Sequence, residues 1–167
     1  MQTLNSPLEL GLRVLVVLTA SFPRPLDVNR LVLMDYCLLH SADLGGPESV
    51  LPAISTRGGE LAIKRSVLEH GIQLMARAGM IDAVASTDGL TYRASEAALP
   101  FLRLVSSPLL DRLTEVAGWA VTEFGDFSAD GIRERIRLIA DRWSEEWAES
   151  RDFDGSLASL DGEESSL

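Results

Sequence analysis

The chain has 167 residues, 46% of them apolar, which is enough to bury one substantial core and too many for wholesale disorder. Its single cysteine, Cys37, excludes an intrachain disulfide and cannot alone build a zinc site, and no run of about 18 uncharged apolar residues offers a membrane-crossing helix. The net charge of −10 is unevenly spread: Glu149 to Leu167 carries six acids and one base, and the acidic remainder, with Lys64 its only lysine, is a poor electrostatic footprint for a free-standing DNA binder.

In chain order, Ser6-Pro7-Leu8-Glu9 is a helix start: Ser6 caps, Pro7 suits the first turn and Glu9 closes a capping box. The helix runs through GLRVLVVLTA to Phe22-Pro23, apolar almost all round, as a central core helix is. It lacks the basic leader and cleavage site of a signal peptide, so a cytoplasmic protein is expected. Asp27 caps a second helix, roughly Val28 to His40, with Leu31, Met34 or Asp35, Leu38 and Leu39 facing inward. A long Gly- and Pro-marked connection, Ser41 to Gly58, follows; a loop of that length in a small domain is usually functional or mobile.

Glu60 to Ala78 reads as a third helix with two adjoining apolar stripes, one of Leu61, Leu68, Ile72 and Met75, the other of Ile63, Val67, Leu74 and Ala78, and Gly79 as its stop. Met80 to Val84 alternates as a half-buried strand does, Asp88-Gly89 supplies a hairpin turn, and Leu90 to Arg93 returns. Three more helices are predicted, about Ser95–Val105, Pro108–Phe124 and Asp130–Ala148, the last striped by Ile132, Ile136, Ile139, Trp143 and Trp147. The Ser-, Gly- and acid-rich end is expected to be disordered. The fold class expected is mainly α (α+β): a winged helix-turn-helix domain over 1–105 with a small β-hairpin wing, additional C-terminal helices over 106–148 and an acidic tail over 149–167. An unrelated α+β domain with one hairpin is the alternative.

In a winged helix the third helix usually reads the groove. Here its outer face offers Lys64, Arg65 and Arg77, and the wing adds Arg93, as candidate nucleic-acid contacts. Glu60 and Glu69 lie on or near that surface and would repel phosphate, so an ordinary solvated face competes with this reading. The glycines after Ser41 could form an anion nest, but no Gly-Lys-Ser/Thr follows, and a plain turn or an interaction loop explains them as well. His40 and His70 fit no metal signature, Cys37 reads as a buried filler, and no nucleophile–base arrangement is evident, so no enzyme, catalytic residue, metal or cofactor is expected. The three tryptophans are core or interface anchors.

The stretches LNSPLELGLRVLVVLTASFPRPLDVNRLVLMDYCLLHSADLGGPESVLPA and RGGELAIKRSVLEHGIQLMARAGMI, with GLTYRAS after them, resemble the middle-component family of bacterial ABC-three component systems, type 2 in particular, over about Leu4 to Phe124. The resemblance implies a non-enzymatic winged-helix accessory subunit. It would link an SMC- or Rad50-like ABC ATPase to an effector subunit in anti-phage or anti-plasmid defence of the Lamassu-like kind. The segments that match the family best contain Asp43, Gly45, Gly46, Pro47, Arg57 and Glu60, which become candidates for partner contact, with structure maintenance as the alternative. DNA contact would be indirect or weak, no membrane is involved, and a homodimer is a further expectation. The competing reading is a free-standing winged-helix transcription regulator, dimeric through its terminal helices.

Overall fold

Ser6 starts the first helix as its spacing from Glu9 requires: its hydroxyl accepts from the Glu9 amide at 3.3 Å and the Glu9 carboxylate accepts from the Ser6 amide at 3.2 Å. The computed structural model in which this is seen describes residues 6–50 and 60–142. Arg57, Trp143, Trp147 and the acidic tail therefore lie outside the described residues. The chain divides into two compact units, Met1–Ile132 and Arg133–Leu167.

The first unit is mainly helical with one hairpin. Its elements run α1 (Pro7–Ser21), α2 (Val28–Leu39), α3 (Glu60–Arg77), β1 (Ile81–Ser86), β2 (Gly89–Ala94), α4 (Ala98–Leu104) and α5 (Pro108–Phe124). Asp27 caps α2 through the Arg30 amide, and Ser107 caps α5 through the Leu110 amide. α1 is the central element: it packs on α2, α3, α4, α5 and β2, with Leu10, Val14, Leu15, Val17 and Leu18 almost wholly buried. That is why it has no polar face. α5 completes this core with Leu113, Val116, Ala117, Ala120 and Phe124, against α1 and α2.

α1 and α3 cross at two glycines. A Cβ on Gly71 would lie 2.6 Å from the Gly11 nitrogen and from the Pro7 carbonyl oxygen, so the backbones approach only because both side chains are missing. α3 then buries a single stripe, Leu68, Ile72 and Met75. The second stripe expected from the sequence does not pack as one: Val67 is half-buried, Leu74 and Ala78 are exposed, and the Leu61 and Ile63 side chains lie outside the described residues. Gly79 ends the helix at φ 79°, as a left-handed stop does.

β1 and β2 pair antiparallel in the register Ile81↔Ala94, Ala83↔Tyr92, Ser86↔Gly89, with Gly89 at φ 121° leaving the turn. A third extended stretch joins them. Leu26, between α1 and α2, exchanges both backbone hydrogen bonds with Tyr92 at 2.8 Å. Nearby, Arg24 Nη1 donates to the Gly125 carbonyl at 3.1 Å and to Asp126 Oδ1 at 2.6 Å, tying the α1–α2 link to the end of α5. In the second unit, residues 133–142 are helical and Arg137 bridges Glu134 at 2.6 Å and Asp141 at 2.9 Å along one side. No helix among the described residues is long and apolar enough to cross a membrane.

Candidate functional site

Two candidate surfaces follow from the sequence, the outer face of α3 with the hairpin and the loop after α2. Beneath the first lies a buried ionic cluster. Arg13 is one charge in an otherwise apolar helix, and Asp35 lies on the inward face of α2. They meet: Arg13 Nε donates to Asp35 Oδ1 at 2.6 Å and Nη2 to Oδ2 at 3.0 Å, with 3% and 1% of the side chains exposed. Lys64, in the first turns of α3, adds its ammonium to Asp35 Oδ2 at 2.8 Å. Burial pushes the Asp35 carboxyl up, but the Arg13 and Lys64 charges outweigh it and hold it below the ordinary carboxylate range. One carboxylate therefore ties α1, α2 and α3 together.

This changes the outer face of α3. Lys64, expected to point outward, is turned inward because Asp35 would otherwise hold a buried charge with one partner fewer. Arg65 bonds Glu69 at 3.2 Å and the Asn29 side-chain oxygen on α2. Arg93 faces Asp82 across the hairpin at 4.0 Å. Arg77 is exposed in the last turn of α3, about 18 Å along the axis from Arg65 at 1.5 Å per residue. Of the four cations, Lys64 is turned inward and Arg77 stands about three helical turns from Arg65.

The loop after α2 is a built structure. Ala42–Leu44 forms a 3₁₀ turn that Gly45 closes at φ 78°. The Ser41 carbonyl accepts from the Leu44 amide at 3.1 Å and from the Gly46 amide at 2.9 Å, which folds the loop back on itself. Gly46 lies flat against the Trp119 indole of α5, where any Cβ would overlap the ring. Trp119 in turn meets Phe124 edge-on, with centroids 5.8 Å apart. Arg112 Nη2 donates to the Glu48 carbonyl at 3.1 Å, pinning the far side of the loop to α5. The loop residues Asp43, Gly45, Gly46 and Pro47 are thus brought together on one docked turn, with Asp43 66% exposed and Gly45 open to solvent. Glu60 opens α3, and its side chain lies outside the described residues.

His40 ends α2 with its ring 4.5 Å from Tyr36, and its Nδ1 is 3.6 Å from Asp43. Burial lowers its pKa, partly opposed by the Asp43 charge. Asp35, five positions before His40, is committed to Arg13 and Lys64. Burial pushes the Cys37 thiol up to about 12, so it stays protonated at neutral pH. Among the described residues no group of three or more His, Cys, Asp or Glu is placed to hold a metal ion. Sequence reasoning missed the Arg13–Asp35–Lys64 cluster and the Gly46–Trp119 seat. A charge inside an apolar helix was the available signal for the first; nothing local signals the second.

The chain matches the family model described as ABC-three component (ABC-3C) system Middle Component 2 over residues 3–146. No curated protein and no solved structure matches it.

Proposed function

The chain belongs to the Middle Component 2 family of ABC-three component systems, and on that footing we propose that it is a non-enzymatic winged-helix adaptor. It links an SMC- or Rad50-like ABC ATPase to an effector subunit in bacterial anti-phage or anti-plasmid defence. The observation that carries the reading is the engagement of the α3 cations. With Lys64 bound to Asp35, Arg65 to Glu69 and Arg93 near Asp82, the face that would read a groove is largely neutralised from within. Support for the winged-helix assignment comes from the Leu26–Tyr92 pairing, which adds a third extended stretch to a hairpin that follows three helices. The docked, partly open loop from Asp43 to Pro47 offers a preformed contact surface of the kind that costs little ordering on binding.

The test is co-expression with an SMC- or Rad50-like ABC ATPase from the same three-component system, purification through a tag on one partner, and measurement of stoichiometry. A stable complex that Asp43→Arg weakens is the expected result. Specific, tight duplex-DNA binding by the isolated chain at physiological salt, abolished by Arg65→Glu with Arg77→Glu, would overturn the adaptor reading in favour of a free-standing regulator.

A further inference from the structure

The corner between α4 and α5 is unusually apolar for an exposed surface. Within eleven residues of chain, Leu99, Leu104, Val105 and Leu109 are 44%, 86%, 43% and 46% exposed. Single exposed aliphatics are ordinary; a contiguous group marks a surface that something covers. The corner flanks a groove of about 430 Å³ whose one lip is α4, with Leu99, Leu102 and Arg103, and whose other lip is α5, with Leu110, Asp111 and Thr114. A second hollow of about 180 Å³ shares Leu110 and is walled by Leu12, Val105 and Leu109, so the apolar surface continues around the corner.

The charges on the groove point to its occupant. Among the described residues Arg103 makes no ion pair and the Asp111 carboxylate accepts only the Ser106 hydroxyl, at 3.0 Å. The two opposite charges stand on opposite lips of one groove, each within about one helical turn of the corner. A surface that carries both signs across its own midline is complementary to itself, as a two-fold interface requires. We propose that this face pairs two copies of the chain. The two-fold axis runs along the groove, so that the α4 lip of one copy lies on the α5 lip of the other. Arg103 of each copy then meets Asp111 of the second, and Leu104, Val105 and Leu109 of the two copies cover one another at the corner. The inference goes beyond the adaptor reading and does not depend on it, since it concerns the isolated chain.

The experiment is sedimentation equilibrium on the full-length chain and two charge variants, each checked for an unchanged circular dichroism spectrum. Wild type should dimerise. Arg103→Asp leaves two acids on the groove and Asp111→Arg leaves two cations, so each alone should raise the dimer dissociation constant by about tenfold or more. An equimolar mixture of the two variants should recover dimers, because only the mixed pair places opposite charges at both contacts. Leu104→Asp, at a side chain too exposed to support the fold, should also dissociate the dimer. A monomeric wild type would overturn the proposal, whether the face is bare or kept for an unlike partner. So would a dimer indifferent to all three substitutions, or a mixture of the charge variants that stays monomeric.

Discussion

Asp35→Asn is the sharpest test of how the first three helices are held together. The carboxylate is 1% exposed and is shared by two cations, Arg13 at 2.6 Å and Lys64 at 2.8 Å. Removing its charge takes from Arg13, itself 3% exposed, the carboxylate it holds at two contacts; Lys64, 13% exposed and near the start of α3, can relax toward solvent. Removing one partner of a buried pair typically costs about 3–5 kcal/mol. Lys64→Met should cost about 1.5–3 kcal/mol, the worth of a charge-assisted bond, since Arg13 still satisfies Asp35. At about 2–4 °C per kcal/mol for a chain of this size, Asp35→Asn lowers the melting temperature by roughly 6–20 °C. Urea titrations followed by circular dichroism measure both costs. A loss under about 1 kcal/mol for Asp35→Asn, or a larger loss for Lys64→Met than for Asp35→Asn, would refute the assignment of Asp35 as the centre of the cluster.

Further outcomes follow from the same structure. Because the folded Asp35 binds its proton less tightly than an unfolded aspartate, whose ordinary pKa is about 3.9, its contribution is complete above that value and lost as pH falls toward the folded pKa. Urea midpoints measured on acidification should therefore drop more steeply in wild type than in Asp35→Asn. Gly46→Ala drives a methyl into the Trp119 ring and should cost about 1–3 kcal/mol, with a change in tryptophan emission as the loop lifts. Two helix glycines should respond with opposite signs: Gly71→Ala meets α1 backbone and destabilises by about 1–3 kcal/mol or more, whereas Gly118→Ala meets nothing within 4 Å and gains up to about 1 kcal/mol of helix propensity. Thermal melts of the pair decide this.

Local signals carried most of the element order. Ser6 with Glu9, Asp27, Ser107-Pro108, Gly79 and Asp88-Gly89 each act within a few residues, and the elements begin or end where those residues stand. What escaped reading is non-local. The Gly11–Gly71 crossing joins residues 60 positions apart, and neither glycine looks different in sequence from one that merely weakens a helix. Lys64 reads as exposed because its neighbours Arg65 and Ser66 are, yet its four-carbon stem reaches inward to a carboxylate on another helix. The loop from Ser41 looked open because glycine and proline dominate it; that composition equally suits a turn pressed flat against an indole. Partner contact at Asp43 or Pro47 leaves no pattern in spacing, so those residues came from family likeness alone.

The salt dependence of any DNA binding separates the two functional readings without knowledge of a partner. Each phosphate neutralised contributes about −0.9 to the slope of log K against log salt concentration. On the third helix the cations that still face solvent are Arg65, which shares its charge with Glu69, and Arg77, with Arg93 beside Asp82 on the hairpin. Engaging two of them gives a slope of about −2. Lys64 cannot be recruited as well unless it leaves Asp35, which would uncover the buried cluster. A free-standing regulator with six or more phosphate contacts would give about −5 or steeper. Fluorescence anisotropy with labelled duplex over a salt series measures the slope. A value near −2 with weak affinity agrees with an adaptor that touches DNA only beside its partner. A value of −5 or steeper would mean that a different basic surface binds the duplex, and the α3-centred argument would fail.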